Sequence, residues 1–116
     1  MNNFEALEVL AKKYIERTGA IIQRDTKRVT TEAQLNEVYR NARDSYAEGL
    51  AELTRLKLSP EERYGISKLR NYFKEAIRAM NAGIQGKYEK SARLMAAAEV
   101  YAQELRTMLS FRAVRE

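Results

Sequence analysis

The chain has 116 residues, enough for one domain with a modest core and too few for several. Hydrophobic residues make up 45% and charged residues 32%, a balance that folds rather than staying disordered; one proline and five glycines exclude a turn-rich all-β protein. Cysteine and histidine are both absent, which excludes disulfides, zinc–thiolate sites, thiol chemistry and the commonest general base, and the net charge is +5.

Helical periodicity runs through almost the whole chain. A first helix is predicted from Phe4 to about Arg17, with Asn2 or Asn3 as N-cap and Phe4, Leu7, Ala11, Tyr14 and Ile15 as its apolar face. Thr18-Gly19 is the expected end. Residues 20–30 are ambiguous: Ile21 and Ile22 call for burial, Arg24-Asp25-Thr26-Lys27-Arg28 for solvent, and a short helix or an ordered loop fits equally.

The second helix opens on Thr31-Glu32-Ala33-Gln34, a capping box in which the Thr hydroxyl and the Gln side chain each satisfy an orphan N–H. Leu35, Tyr39, Ala42, Tyr46, Gly49, Leu53 and Leu56 follow at alternating spacings of four and three, a seam along one side. Gly49 on that seam costs about 1 kcal/mol of helix propensity, which points to the close approach of a neighbour. A third helix starts at Ser59-Pro60-Glu61-Glu62, with a cap, a proline at N1 and two acids at the positive end of the dipole. It should run to about Ala82 with Ile66, Leu69, Phe73, Ala76, Ile77 and Met80 inward and Gly83 as its C′ residue. The fourth is predicted from about Lys87 to Ser110, with Leu94, Met95, Ala98, Tyr101, Ala102, Leu105, Met108 and Leu109 on a broad apolar face and a tail that extends or frays. The fold class is therefore all-α: one domain over 1–116, a small antiparallel bundle of four main helices, with room for a fifth short one at 20–29.

No stretch approaches the ~20 apolar residues of a membrane span, and Met1-Asn2-Asn3-Phe4-Glu5 has neither the basic nor the apolar region of a signal peptide. The expectation is a soluble cytoplasmic protein with no membrane contact. Catalysis is not expected. There is no histidine for a triad or for Glu-x-x-His metal pairs, and no glycine-rich nucleotide loop. Acid pairs such as Glu48 with Glu52 read as solvated helix faces. No cofactor and no metal are implied.

The charge is local. Residues 63–93 hold eight basic and two acidic side chains, net +6, whereas 1–62 sum to −1 and 94–116 to zero. A local positive field suggests a polyanion. At ~100° per residue, Arg63, Arg70, Lys74 and Arg78 share a stripe with Ser67 and Asn81. The stripe is expected beside the apolar face, as the rim of a groove, with Lys87, Lys90 and Arg93 continuing it into the next helix. Bases one helical turn apart can meet successive phosphates, and Ser67, Asn71 and Asn81 can add neutral hydrogen bonds. Tyr64, Tyr72 and Tyr88 are candidates for stacking on unpaired bases, with packing in the core or at its boundary as the favoured competing role. Arg24, Lys27 and Arg28, and Arg40 with Arg43, extend the positive surface or pair with neighbouring acids.

Ser67-Lys68-Leu69-Arg70-Asn71-Tyr72-Phe73 resembles the Ser/Thr-x-Leu/Ile-Arg-x-x-Phe pattern of the small helical subunit of CRISPR effector complexes. Those subunits are short, basic and all-helical, and several copies line the ribonucleoprotein beside the guide–target duplex. The resemblance implies an antiviral-defence, RNA-binding role in which Arg70 and its basic neighbours face nucleic acid. The resulting expectation is a non-catalytic subunit of a nucleoprotein assembly. It would hold an RNA or DNA backbone (an RNA–DNA duplex or a single strand) through Arg63, Lys68, Arg70, Asn71, Lys74, Arg78, Lys87, Lys90 and Arg93. It would also contact other protein subunits, copies of itself included. The alternative is an adaptor or inhibitor, such as one from a phage or mobile element, docking an acidic protein.

Overall fold

A computed structural model describes residues 3–57 and 59–115, with side chains placed for 4–57 and 59–111; the Asn2 cap lies outside the described residues. The elements are α1 (Asn3–Ala11), a π-helical turn (Lys12–Glu16), α2 (Arg17–Thr26), α3 (Glu32–Arg55), a 3-10 turn (Pro60–Glu62), α4 (Arg63–Ile84) and α5 (Tyr88–Arg115). Ala11, Glu16 and Arg17 all have helical dihedrals, so α1, the π turn and α2 run on as one rod and the bundle has four helical members. No strand occurs among the described residues.

The expected break at Thr18-Gly19 does not occur. Thr18 is buried, and its hydroxyl shares a 2.8 Å hydrogen bond with that of Ser45 on α3. Packing against α3 thus carries the helix past a glycine that propensity alone would place at its end. The fifth short helix is the continuation of the first, and the chain turns only at Lys27, where Arg28 and Val29 N–H donate to Asp25 and Thr26 carbonyls. The π turn brings two consecutive side chains, Tyr14 and Ile15, inward together.

The cap of α3 forms as the sequence implies. Gln34 N–H donates to the Thr31 hydroxyl at 3.1 Å, and the Gln34 side chain accepts from Thr31 N–H at 3.2 Å. Ahead of α4, the buried Glu62 carboxylate accepts from the Ser59 N–H and hydroxyl. The end of α4 lies further on than predicted. Gly83 is inside the helix, buried beneath the Tyr39 ring, and the left-handed residue is Gly86, at φ 78°. Lys87 N–H reaches Ala82 O at 2.9 Å and Gly86 N–H reaches Gly83 O at 3.0 Å, a Schellman ending. The last helix continues beyond Ser110 to Arg115.

Successive members are antiparallel. Lys13 and Thr18 meet Glu52 and Ser45, Arg43 and Gly49 meet Asn81 and Phe73, and Gly65 and Lys68 meet Met108 and Glu104. The core centres on an aromatic chain at the α3–α4 contact. Tyr46 meets Tyr72 edge-on at 5.8 Å, Tyr72 meets Phe73 at 5.8 Å, and Phe73 meets Tyr14 at 6.0 Å. Gly49 makes this possible: a Cβ there would lie 2.7 Å from Phe73 Cζ and 2.8 Å from Tyr14 Cγ. Leu7, Leu69 and Leu105, fully buried on three different members, tie the layers together. Each contributes roughly 1.5–3 kcal/mol of apolar transfer.

Candidate nucleic-acid interface

An uninterrupted α4 sets the geometry of the basic block. Arg63, Ser67, Arg70, Lys74 and Arg78 are all exposed, and Asn71 and Asn81 are half-buried. Counted at ~100° per residue, the four bases span an arc of ~80°. The residues α4 buries are centred roughly 170° from that arc. The stripe is therefore the outward crest of α4 and not the rim of a groove beside the apolar face. The expectation was misplaced because it weighted Ile66 and Ile77, which are only half-buried, and gave no weight to Gly65, Ala79, Ala82 and Gly83, which are buried. Helix α4 lies between α3 and α5 and also touches α1, so small residues on its far flank are covered too.

The candidate residues fall into different environments. Lys68 Nζ stands 2.6 Å from Glu104 of α5, its side chain only 20% exposed, and lies over the Tyr64 and Tyr101 rings at 5.0 and 5.6 Å. The hydrogen bond with Glu104 raises the Lys68 pKa, and the same bond holds the Glu104 carboxyl below its ordinary value. Lys68 thus ties α4 to α5. Arg78 pairs with Glu75 at 2.7 Å while remaining 62% exposed, a contact that solvent screening makes weak. Arg63, Arg70, Lys74, Lys87, Lys90 and Arg93 are exposed and form no ion pair among the described residues.

Distance divides the set. Arg63 and Arg78 are ~22 Å apart along the helix, and Lys87, Lys90 and Arg93 lie beyond its C-terminal end, after the Gly86 turn. The structure also brings in a neighbour from α3. Arg43 Nη1 reaches Asn81 Oδ1 at 3.5 Å while its Nε meets Asp44 at 3.2 Å, and Arg40 pairs with Glu37 at 3.5 Å. Both arginines carry the local ion pairs weighed for them, and Arg43 adjoins the end of the stripe as well. Its proximity to Asn81 depends on the α3–α4 register, which no local pattern reports.

The tyrosines separate clearly. Tyr72 is 2% exposed within the aromatic core, and burial pushes its hydroxyl pKa far up; it does not face any bound strand. Tyr64 and Tyr88 are exposed at opposite ends of α4, but Tyr64 faces Lys68 and Glu104, and Tyr88 stacks on Tyr39 at 6.2 Å. Among the described residues no acid cluster fit to hold a metal occurs, and no helix is long and apolar enough to cross a membrane.

No protein-family model, no curated protein and no solved structure matches this chain.

Proposed function

We propose that this chain is a non-catalytic helical subunit that holds a nucleic-acid backbone across the outward crest of α4 and the start of α5. The observation carrying this reading is the set Arg63, Arg70, Lys74, Lys87, Lys90 and Arg93, six solvent-exposed bases without an ion pair among the described residues. A convex basic face without a cleft suits repeated phosphates better than a small anion. Two rings already engaged within the bundle and one buried in it leave little to stack on bases, which favours backbone contact over base reading. Lys68 contributes by joining α4 to α5, and Arg78 by exchanging Glu75 for a phosphate. The narrower assignment, a subunit of a CRISPR-type effector ribonucleoprotein, rests on the Ser67–Phe73 pattern.

The test is affinity for generic duplex and single-stranded oligonucleotides at rising salt. Seven phosphate contacts, the six unpaired bases and Arg78, predict a log–log slope of about −6 on duplex DNA and about −5 on a single strand. Absence of binding at low salt, with binding to an acidic protein instead, would leave the adaptor role in its place.

A further inference from the structure

Helix α5 has a second side that the bundle leaves open, and that side is apolar. Ala92, Ala96 and Ala97 are exposed, Val100 is 57% exposed and Phe111 61%. A helix apolar on both sides is usually buried on both. Ala96, Val100, Gln103, Thr107 and Phe111 recur at spacings of three and four, and all line one groove of about 1180 Å³. Its volume exceeds the ~300–1,000 Å³ typical of small-molecule sites. Its α5 wall is ~22 Å long, the shape of a bed for a helix.

We propose that a second copy of this chain fills the groove, α5 lying antiparallel on α5 about a twofold axis near Gln103. Three observations select a copy over other occupants. The first is symmetry. With the axis at the middle of the α5 wall, Ala96 faces Phe111 of the second copy and Val100 faces Thr107, so the most exposed ring meets a small alanine side chain and the match is repeated by the twofold. The second is charge. Glu99 and Glu104 in the groove already hold their own counterions, Arg106 at 2.7 Å and Lys68 at 2.6 Å. The face is nearly neutral in a basic chain and suits an equally neutral surface better than a polyanion. The third is the remaining acid. Glu61 lines the Phe111 end of the groove, and this register carries Arg93 of the second copy, one turn before its Ala96, toward that end.

None of the α4 bases lines the groove, so this pairing shares only Arg93 with phosphate binding. A strip of this length places the interface near the ~1,200 Å² lower bound of specific contacts, the range of reversible, transient association.

The test is sedimentation of the full chain between ~1 and ~500 μM. The mass should move from one chain to two, and Val100→Glu should raise the midpoint at least about tenfold by burying an unpaired carboxylate. Thermal melting at low concentration should not move, because Val100 is a surface residue in the monomer. The chain has no cysteine, so Gln103→Cys reports the register. On mild oxidation it should form a linked dimer much faster than Ala51→Cys, which sits on an exposed part of α3. A single-chain mass throughout, a dimer that survives Val100→Glu, or equal cross-linking of the two cysteine variants overturns the proposal. Loss of oligonucleotide binding in Val100→Glu without any change of mass overturns it too, and assigns the groove to nucleic acid.

Discussion

On its inner face α4 buries Leu69, Tyr72, Phe73 and Ala76, while within the same two turns its outer face holds Arg70 and Lys74 in solvent. The inner residues are over-determined: Phe73 meets the Tyr14 ring of the first member and the Tyr72 ring beside it on α4, and Gly49 of α3 leaves it room. The outer residues are under-determined, since nothing in the bundle needs their charge. Lys68 separates the two cases, being as basic as Lys74 yet drawn into contact with Glu104 and two rings of the bundle. Positive charge by itself therefore does not mark a binding residue. What marks a candidate is positive charge for which the fold supplies no partner.

The largest effect should come from the inner face. Phe73→Ala is expected to cost about 3–5 kcal/mol, measured by urea unfolding, and to leave the salt slope of oligonucleotide binding unchanged wherever the protein is still folded. Loss of slope in the folded variant would break the separation of the two faces. Alkali should act on the inner face as well. Burial holds the Tyr72 and Tyr46 hydroxyls above their ordinary 10, so the unfolded chain gives up these protons first. Their contribution to stability is full below about pH 10 and falls as pH rises further. Melting temperature and tyrosinate absorbance from pH 9 upward check this.

The outer face should behave in the opposite way. Replacing Arg70, Lys74 and Arg78 together by Ala should reduce the log–log salt slope by about 2 to 3 and change stability by no more than about 0.5 kcal/mol per site. The sharpest comparison is between single lysines. Lys74→Ala should lower the slope by about 1 and leave the melting temperature in place, whereas Lys68→Ala should lower the melting temperature and spare the slope. The smallest effect belongs to the Lys68 partner. The Glu104 carboxyl sits below its ordinary 4.5, so its contribution is present at neutral pH and fades as acid takes the pH below about 4.5. That acid limb should be absent in Glu104→Gln.

Much of the fold was legible locally. The Thr31–Gln34 box and the Leu35–Leu56 seam required only neighbours within a turn or two, and they place α3 correctly. The run-on at Thr18-Gly19 was not legible, because its cause is Ser45, 27 residues away. Gly83 was the expected stop; it lies inside the helix beneath the Tyr39 ring, and the left-handed residue is Gly86. For the candidate interface, helical arithmetic grouped Arg63, Arg70, Lys74 and Arg78 correctly but misjudged their angle to the core. Glycine and alanine carry little hydropathy signal, and their burial on α4 depends on which neighbours cover them.

The sequence by itself determined an all-helical chain, the caps of α3 and α4, the seam of α3 and the concentration of charge in residues 63–93, because each follows from backbone chemistry and side-chain spacing within one segment. Only the tertiary structure decided that Lys68 faces inward to Glu104, that Tyr72 belongs to the core, that the basic stripe is a crest, and that one apolar side of α5 stays open. These depend on which helix lies against which, and packing between distant segments is a property of the whole bundle.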